Sequence, residues 1–316
     1  MLLIRKLEDI PSGFSRSVVT VGNFDGLHRA HCAVIDSVVR RARELDARSV
    51  VLTFDPHPIR ILRPREAPPL LTPMPMKLRL LEKTGIDFAV VLPFSRDLSM
   101  MPPYEFAETI LSTALRAVEI HEGFNFRFGH KAEGDAGRLR EFGRKLGFDV
   151  VSYDPLTVRG KAVSSSQVRK LVQAGDVVNA RHLLGRAFSI LATPGRGRGY
   201  GTKYTVPTIN LARYDELVPK DGVYITQITV NGETFDSVTN VGQRPTFGSE
   251  SFAIETHILN FHPVELTAET PVELAFLKRL RDEVKFPSVP ALKEQISRDV
   301  KRAQRYFQLM HRFGKK

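Results

Sequence analysis

The stretch Val18-Val19-Thr20-Val21-Gly22-Asn23-Phe24-Asp25-Gly26-Leu27-His28-Arg29-Ala30-His31 decides how the first half of this chain folds. Its β-branched run predicts a strand and its glycines a turn. Behind it Val34, Ile35, Val38, Val39, Ala42 and Leu45 recur with helical period. Strand, glycine-bearing turn and helix is the arrangement that offers backbone N–H groups and a positive helix end to a phosphate. His28 and His31, three positions apart at the helix entrance, can face one anion. The reading is chemistry on nucleotide phosphates that needs no covalent nucleophile.

Outward from this stretch, strand-like runs at 17–24, 48–54, 87–94, 117–121 and 148–153 alternate with helical patterns at 31–45, 76–84, 103–114 and 136–146. Such alternation predicts an α/β domain, a Rossmann-like parallel sheet with helices on both faces. Two short helical segments, 165–174 and 176–184, close this half at Gly185. The grammar then changes. Gly195-Arg196-Gly197-Arg198-Gly199-Tyr200-Gly201 is too glycine-rich for a helix. Strands are expected at 221–230 and 233–241, joined by the hairpin signal Asn231-Gly232, and again at 252–261 and 271–278. These predict an antiparallel β-barrel. A final helix is expected where Val289, Leu292, Ile296, Val300, Ala303, Phe307 and Met310 recur at three- and four-residue steps. Two domains follow, residues 1–185 and 186–316.

Composition narrows the classes. The 316 residues are 42% hydrophobic and 26% charged, ordinary for a globular protein. No apolar run approaches the ~18 residues of a membrane span, so no membrane partner is expected. The start, Met1-Leu2-Leu3-Ile4-Arg5, lacks the pattern of a secretion signal. The lone Cys32 excludes an intramolecular disulfide framework and a cysteine zinc site. The expected compartment is the cytoplasm. Net charge is +11, which suits phosphorylated small molecules. The basic residues are scattered rather than interleaved with aromatics, and the densest group, Lys301, Arg302, Arg305, Arg312, Lys315 and Lys316, ends a helix. Nucleic acid is therefore not the expected partner. Oligomeric state is not legible.

A second signature, Val163-Ser164-Ser165-Ser166-Gln167-Val168-Arg169, also opens a helix. Hydroxyls and N–H groups there can hold phosphate, and Arg169 can fork onto it; a serine N-cap with an exposed arginine is the plainer reading. Together the two signatures resemble those of the HxGH nucleotidyltransferases, H-x-G-H and I-S-S-T-x-x-R. More narrowly, the chain resembles the bacterial bifunctional riboflavin kinase/FAD synthetases. Gly22-Asn23-Phe24-Asp25-Gly26, Phe54-Asp55-Pro56-His57-Pro58 and Gly123-Phe124-Asn125-Phe126-Arg127-Phe128-Gly129 carry that narrower match. The resemblance implies adenylyl transfer from ATP to FMN, giving FAD and pyrophosphate. It assigns His28, His31 and Arg169 to catalysis, and Gly22, Asn23, Phe24, Asp25, Gly26, Ser164, Ser165 and Ser166 to the nucleotide. It assigns Pro56, His57, Pro58, Asn125, Phe126 and Phe128 to the flavin. Read alone, Phe124, Phe126 and Phe128 could equally be a core stripe. Ala30 stands where the family has glycine, and Ser166 where it has threonine.

In the second half Pro207-Thr208-Ile209-Asn210 resembles the flavokinase P-T-x-N. Asn240-Val241-Gly242-Gln243-Arg244-Pro245-Thr246-Phe247 resembles its N-x-G-x-R-P-T-F, and Glu255-Thr256-His257-Ile258-Leu259-Asn260-Phe261 its E-x-H-L-L-x-F. The resemblance implies ATP-dependent phosphorylation of riboflavin, with Glu255 as catalytic base. Gly199, Gly201, Lys203, Pro207 and Asn210 would bind nucleotide, Thr208 and Asn210 Mg2+, and Arg281, Glu283 and Phe286 flavin. Thr202, Thr205 and Val206 depart from the family loop. A strand glutamate among apolar neighbours also reads as merely solvent-facing. Two alternatives stay open: a nucleotidyltransferase for another acceptor with a degenerate kinase domain, and a flavin- or nucleic-acid-binding regulator.

Overall fold

Six parallel strands build the first sheet of this computed structural model, which describes residues 1–195, 208–244, 251–259 and 266–313. Among the expected site residues, Gly199, Gly201, Lys203 and Pro207 lie outside that set, as do Thr202, Thr205 and Val206. The strands are β1 (Leu2–Ile4), β2 (Ser17–Val21), β3 (Arg48–Asp55), β4 (Phe88–Pro93), β5 (Ala117–Gly123) and, after the short hairpin of β6 (Arg127–Phe128) and β7 (Gly134–Asp135), β8 (Asp149–Tyr153). Their order is β1-β4-β3-β2-β5-β8. A small ribbon, β9 (Thr157–Val158) with β10 (Lys161–Ala162), follows.

Central strands of such a sheet are covered on both faces and read as continuous apolar runs. All five residues of β2 are buried. Successive side chains point to opposite faces. Val18 therefore joins Ile35, Val38 and Leu81 on one side, while Val19 joins Leu52, Ile110, Leu111 and Ile120 on the other. Each fully buried aliphatic side chain contributes about 1.5–3 kcal/mol. The first core is closed by α1 (Arg29–Glu44), which buries Val34, Ile35, Val38, Val39 and Ala42, the predicted stripe.

The remaining helices of this unit are α2 (Pro58–Leu62), α3 (Met74–Glu82), α4 (Arg96–Met100), α5 (Pro103–Glu105), which runs into a π-helical stretch at Phe106–Ala114, and α6 (Ala136–Leu146). The chain leaves β2 toward β3 and β4, then crosses to place β5 on the other side of β2. That reversal opens a crevice at the carboxyl ends of β2 and β5, where open α/β sheets bind ligands. The β2–β5 ladder pairs Val19 with Ile120 and goes no further, while β2–β3 continues to Val21 and β5–β8 to Gly123.

Contacts divide the chain into Met1–Ser165 and Ser166–Lys316. The helices α7 (Ser165–Gln173) and α8 (Val177–Leu184) thus fall, but for Ser165, with the second unit. The packing explains this. Lys220 N–H donates to the Val172 carbonyl. Gly175, at φ +77°, lies so close to Arg279 that a Cβ would come within 2.7 Å of its side chain.

The second sheet consists of β11 (Phe188–Ala192), β12 (Thr208–Asn210), β13 (Gly222–Val230), β14 (Glu233–Arg244), β15 (Ser251–Ile258) and β16 (Val272–Arg281), in the order β11-β16-β13-β14-β15-β12 and antiparallel throughout. Asn231 (φ 50°) and Gly232 (φ 84°) both take the left-handed conformation between β13 and β14, as a two-residue primed turn demands. The sheet curls back on itself. Beyond its edge strands, Gly195 N–H donates to the Asn210 carbonyl and Ala212 N–H to the Thr193 carbonyl, both at 2.8 Å. The C-terminal helix, Val289–Phe313, lays Ala303 and Phe307 on Val223, Ile225, Val238 and Leu277.

Candidate functional site

Three loops leave the carboxyl ends of the adjacent strands β3, β2 and β5: Pro56–Pro58, Gly22–Leu27 and the segment after Gly123. The middle one is held by hydrogen bonds from outside itself. Val21 N–H donates to Glu122 Oε1 at 2.8 Å. The Asn23 carbonyl accepts from Lys77 Nζ at 2.7 Å. The buried Asp25 carboxylate accepts from Leu71 N–H at 3.0 Å and Thr72 N–H at 2.9 Å, while Thr72 Oγ1 accepts from Gly26 N–H at 2.8 Å. Ser165 Oγ donates to the Asp25 carbonyl at 2.8 Å. Asp25 thus acts through its side chain as a brace for the turn. Gly26, at φ 86°, takes the left-handed bend that glycine adopts at least cost, and a Cβ on Gly22 would come within 3.2 Å of the Phe24 ring.

The turn delivers the two histidines together. His28 caps α1, its Nδ1 accepting from His31 N–H at 3.4 Å. An accepting Nδ1 leaves the proton of neutral His28 on Nε2. The rings stack with centroids 3.6 Å apart and 16° between planes, and Phe24 sets its ring edge against His31 at 5.2 Å. Burial, then the neighbouring His28 and Lys77, hold His31 well below the usual imidazole range. His31 is therefore neutral at physiological pH. Its Nδ1 is enclosed without a hydrogen-bond partner, the kind of unsatisfied group that points to function. Ala30 lies between them in the first turn of α1.

On the neighbouring loops His57 caps α2, with Nδ1 accepting from Ile59 N–H at 3.3 Å, and Pro58 takes the first helical position. The aromatic stripe divides: Phe124 is 61% exposed, Phe126 is half-buried, and Phe128, 6% exposed, belongs to the core. Phe126 stacks on Phe128 with centroids 5.2 Å apart. Asn125 is exposed beside Gly123. Ser164 is half-buried ahead of α7; Ser166 is exposed and Arg169 half-buried on it.

In the second unit strand register does the work. Glu255 on β15 is paired with Asn210 on β12 and with Asn240 on β14, so the three share one face in a row across the sheet. Thr208 pairs with His257 on the same face. Asn240 Nδ2 donates to Glu283 Oε1 at 3.3 Å, and Gly242 leaves room for that carboxylate, which a Cβ would meet at 2.5 Å. Arg281 donates through Nε to Asp299 Oδ2 at 2.8 Å, tying β16 to the C-terminal helix, and its guanidinium lies 5.6 Å from the Phe286 ring centroid. Hydroxyl, amide and carboxylate oxygens from Thr208, Asn210 and Glu255 are hard donors of the kind Mg2+ takes.

Three residues escaped the sequence reading: Lys77, Glu122 and Asn240. Lys77 had a local signal, since it shares the buried face of α3 with Leu81. Asn240 stood in a quoted motif, but its place beside Glu255 is a matter of register. Glu122 is 2% exposed, and burial pushes its carboxyl well above the usual range against the Val21 hydrogen bond.

A parallel sheet with stacked histidines at a helix entrance, followed by an antiparallel sheet with a carboxylate set between two amides, describes a two-unit nucleotide-dependent transferase. Comparison with known proteins agrees. The FAD synthetase family model matches residues 11–167 and the riboflavin kinase family model residues 184–307. Proteins named bifunctional riboflavin kinase/FMN adenylyltransferase are similar over nearly the whole chain: one from Pseudomonas fluorescens is 32% identical, covering 96% of this chain and 97% of its own. That of Escherichia coli K12 is 31% identical, with 98% and 99% covered. A solved structure described as a macrolide-efflux protein from Streptococcus pneumoniae superposes with a TM-score of 0.86 at 27% identity, covering 96% of this chain and 98% of that one. Among the described residues no helix is long and apolar enough to cross a membrane. This chain belongs to the bifunctional riboflavin kinase/FMN adenylyltransferase family.

Proposed function

We propose that the chain makes FMN from riboflavin in residues 186–316 and FAD from FMN in residues 1–185, consuming one ATP in each step. The observation that carries the first assignment is the stacked His28–His31 pair at the entrance of α1. A phosphate oxygen of FMN attacks the α-phosphorus of ATP in line, and the bond to the bridging oxygen breaks to release pyrophosphate. His28, His31 and Arg169 donate to the charge that builds on the phosphoryl oxygens, and the positive end of α1 adds to them. The work is positioning and electrostatics. Pro56, His57, Pro58, Asn125, Phe126 and Phe128 hold the flavin; for Phe128, a core residue, the contribution is to back the Phe126 ring.

In the second unit Glu255 accepts the proton of the ribityl 5′-hydroxyl as that oxygen attacks the γ-phosphorus of ATP. Its pairing with Asn210 and Asn240 supports this reading. Mg2+ held by Thr208 and Asn210 would supply charge neutralisation at the ATP phosphates. Arg281, Glu283 and Phe286 border the flavin. The chain works on small molecules in the cytoplasm.

Purified protein with riboflavin, ATP and Mg2+ should yield FMN and then FAD by chromatography. Absence of both products would refute the proposal. Clear preference for a non-flavin acceptor would favour a nucleotidyltransferase of another specificity.

A further inference from the structure

Lys77 is 3% exposed, and its Nζ reaches the Asn23 carbonyl at 2.7 Å, inside the turn that leads to His28 and His31. That bond uses one of the three N–H donors of an ammonium group. An interior cation carries a desolvation cost, and an apolar side chain of similar length would fill the place more cheaply if packing were the only demand. Burial lowers the proton affinity of Lys77, while the carboxylates of Asp25 and Asp55 raise it. Asp25 also accepts from Leu71 and Thr72, so its carboxylate ties the same turn to the chain ahead of α3. The Lys77 charge and the neighbouring His28 ring both disfavour a proton on His31. Lysine, turn and stacked histidines therefore form one electrostatic unit next to the crevice at the ends of β2 and β5.

Resting on the adenylyl-transfer reading above, we infer that Lys77 is a positioning residue of that reaction, whose ammonium fixes the Asn23 carbonyl and brings a positive charge to the turn that receives the nucleotide phosphates. It acts through the turn and through His31. Anchoring Asn23 sets the path of the backbone into α1. The nearby positive charge favours His31 as an uncharged N–H donor, and the same charge draws in a triphosphate.

The test uses the full-length chain with Lys77→Met and Lys77→Arg. With Lys77→Met, kcat/KM for FAD formation from FMN and ATP should fall about ten- to a hundredfold, while FMN formation from riboflavin stays at the wild-type rate. Lys77→Arg should recover most of the loss. In ligand-free protein followed by NMR, His31 should titrate at higher pH in Lys77→Met than in wild type, and close to wild type in Lys77→Arg. A merely structural lysine would not move that titration. FAD formation by Lys77→Met at the wild-type rate overturns the inference; so does an arginine variant as impaired as the methionine one, or an unmoved His31 titration. If wild type forms no FAD, the reading of the first site fails instead, and the His31 titration still decides the role of the charge.

Discussion

Glu255 and Glu122 are both strand glutamates, and their surroundings give them opposite characters. Glu255 is exposed and flanked by two amides, the arrangement on which its proposed role as base rests. Glu255→Gln should lower riboflavin phosphorylation about 10²- to 10⁴-fold and leave FAD formation from supplied FMN unchanged. Equal loss of both activities, read by chromatography, would deny its specific role. Glu122 is enclosed and keeps its proton to higher pH when folded than when unfolded. The stability linked to it is complete below the unfolded value of about 4.3 and is lost as pH rises through the raised folded one. Glu122→Gln retains an acceptor for Val21 N–H and removes the titration. Its melting temperature should exceed that of wild type by a margin that widens as pH rises above the unfolded value; a margin independent of pH would refute this.

At the scale of elements, the period of apolar residues announced most of the helices and strands. The stripe of α1 and the Asn231-Gly232 turn appear as expected because each depends on neighbours within a few positions. The three-residue β1 was not legible, for so short an edge strand has no alternation to show. Nor were the contacts of Lys77 and Glu122, whose partners Asn23 and Val21 lie 54 and 101 positions away. The end of α6 illustrates the same dependence on close approach. Gly147 (φ 84°) and Phe148 both donate N–H to the Gly143 carbonyl, and a Cβ on Gly143 would come within 2.3 Å of the Phe148 carbonyl. Gly143→Ala should destabilise the first unit by about 1–3 kcal/mol. Calorimetry should show the loss in the transition of that unit, with FMN formation retained; an unchanged transition would contradict the crowding.

Across the whole molecule, alternation of strand and helix placed residues 165–184 with the first half, whereas their packing against β11, β13 and β16 groups them with the second. Sequence pattern records which elements exist but not which core an element joins. A fragment of residues 166–316 should therefore fold and make FMN, and should melt at higher temperature than residues 186–316, which lack the cover of Val177, Ala180, Leu183 and Leu184. Equal stability of the two fragments would show that the helices add nothing to the barrel.

The crevice between β2 and β5 owes its existence to a bond that the two backbones do not make. After Val19 and Ile120 the strands part, and the next amide on β2 that faces β5 is satisfied by a glutamate side chain instead of a peptide oxygen. A side chain can be lengthened, shortened or discharged by one mutation, whereas a rung of backbone cannot. The width of this opening is accordingly a trait that single substitutions can adjust without rebuilding the sheet.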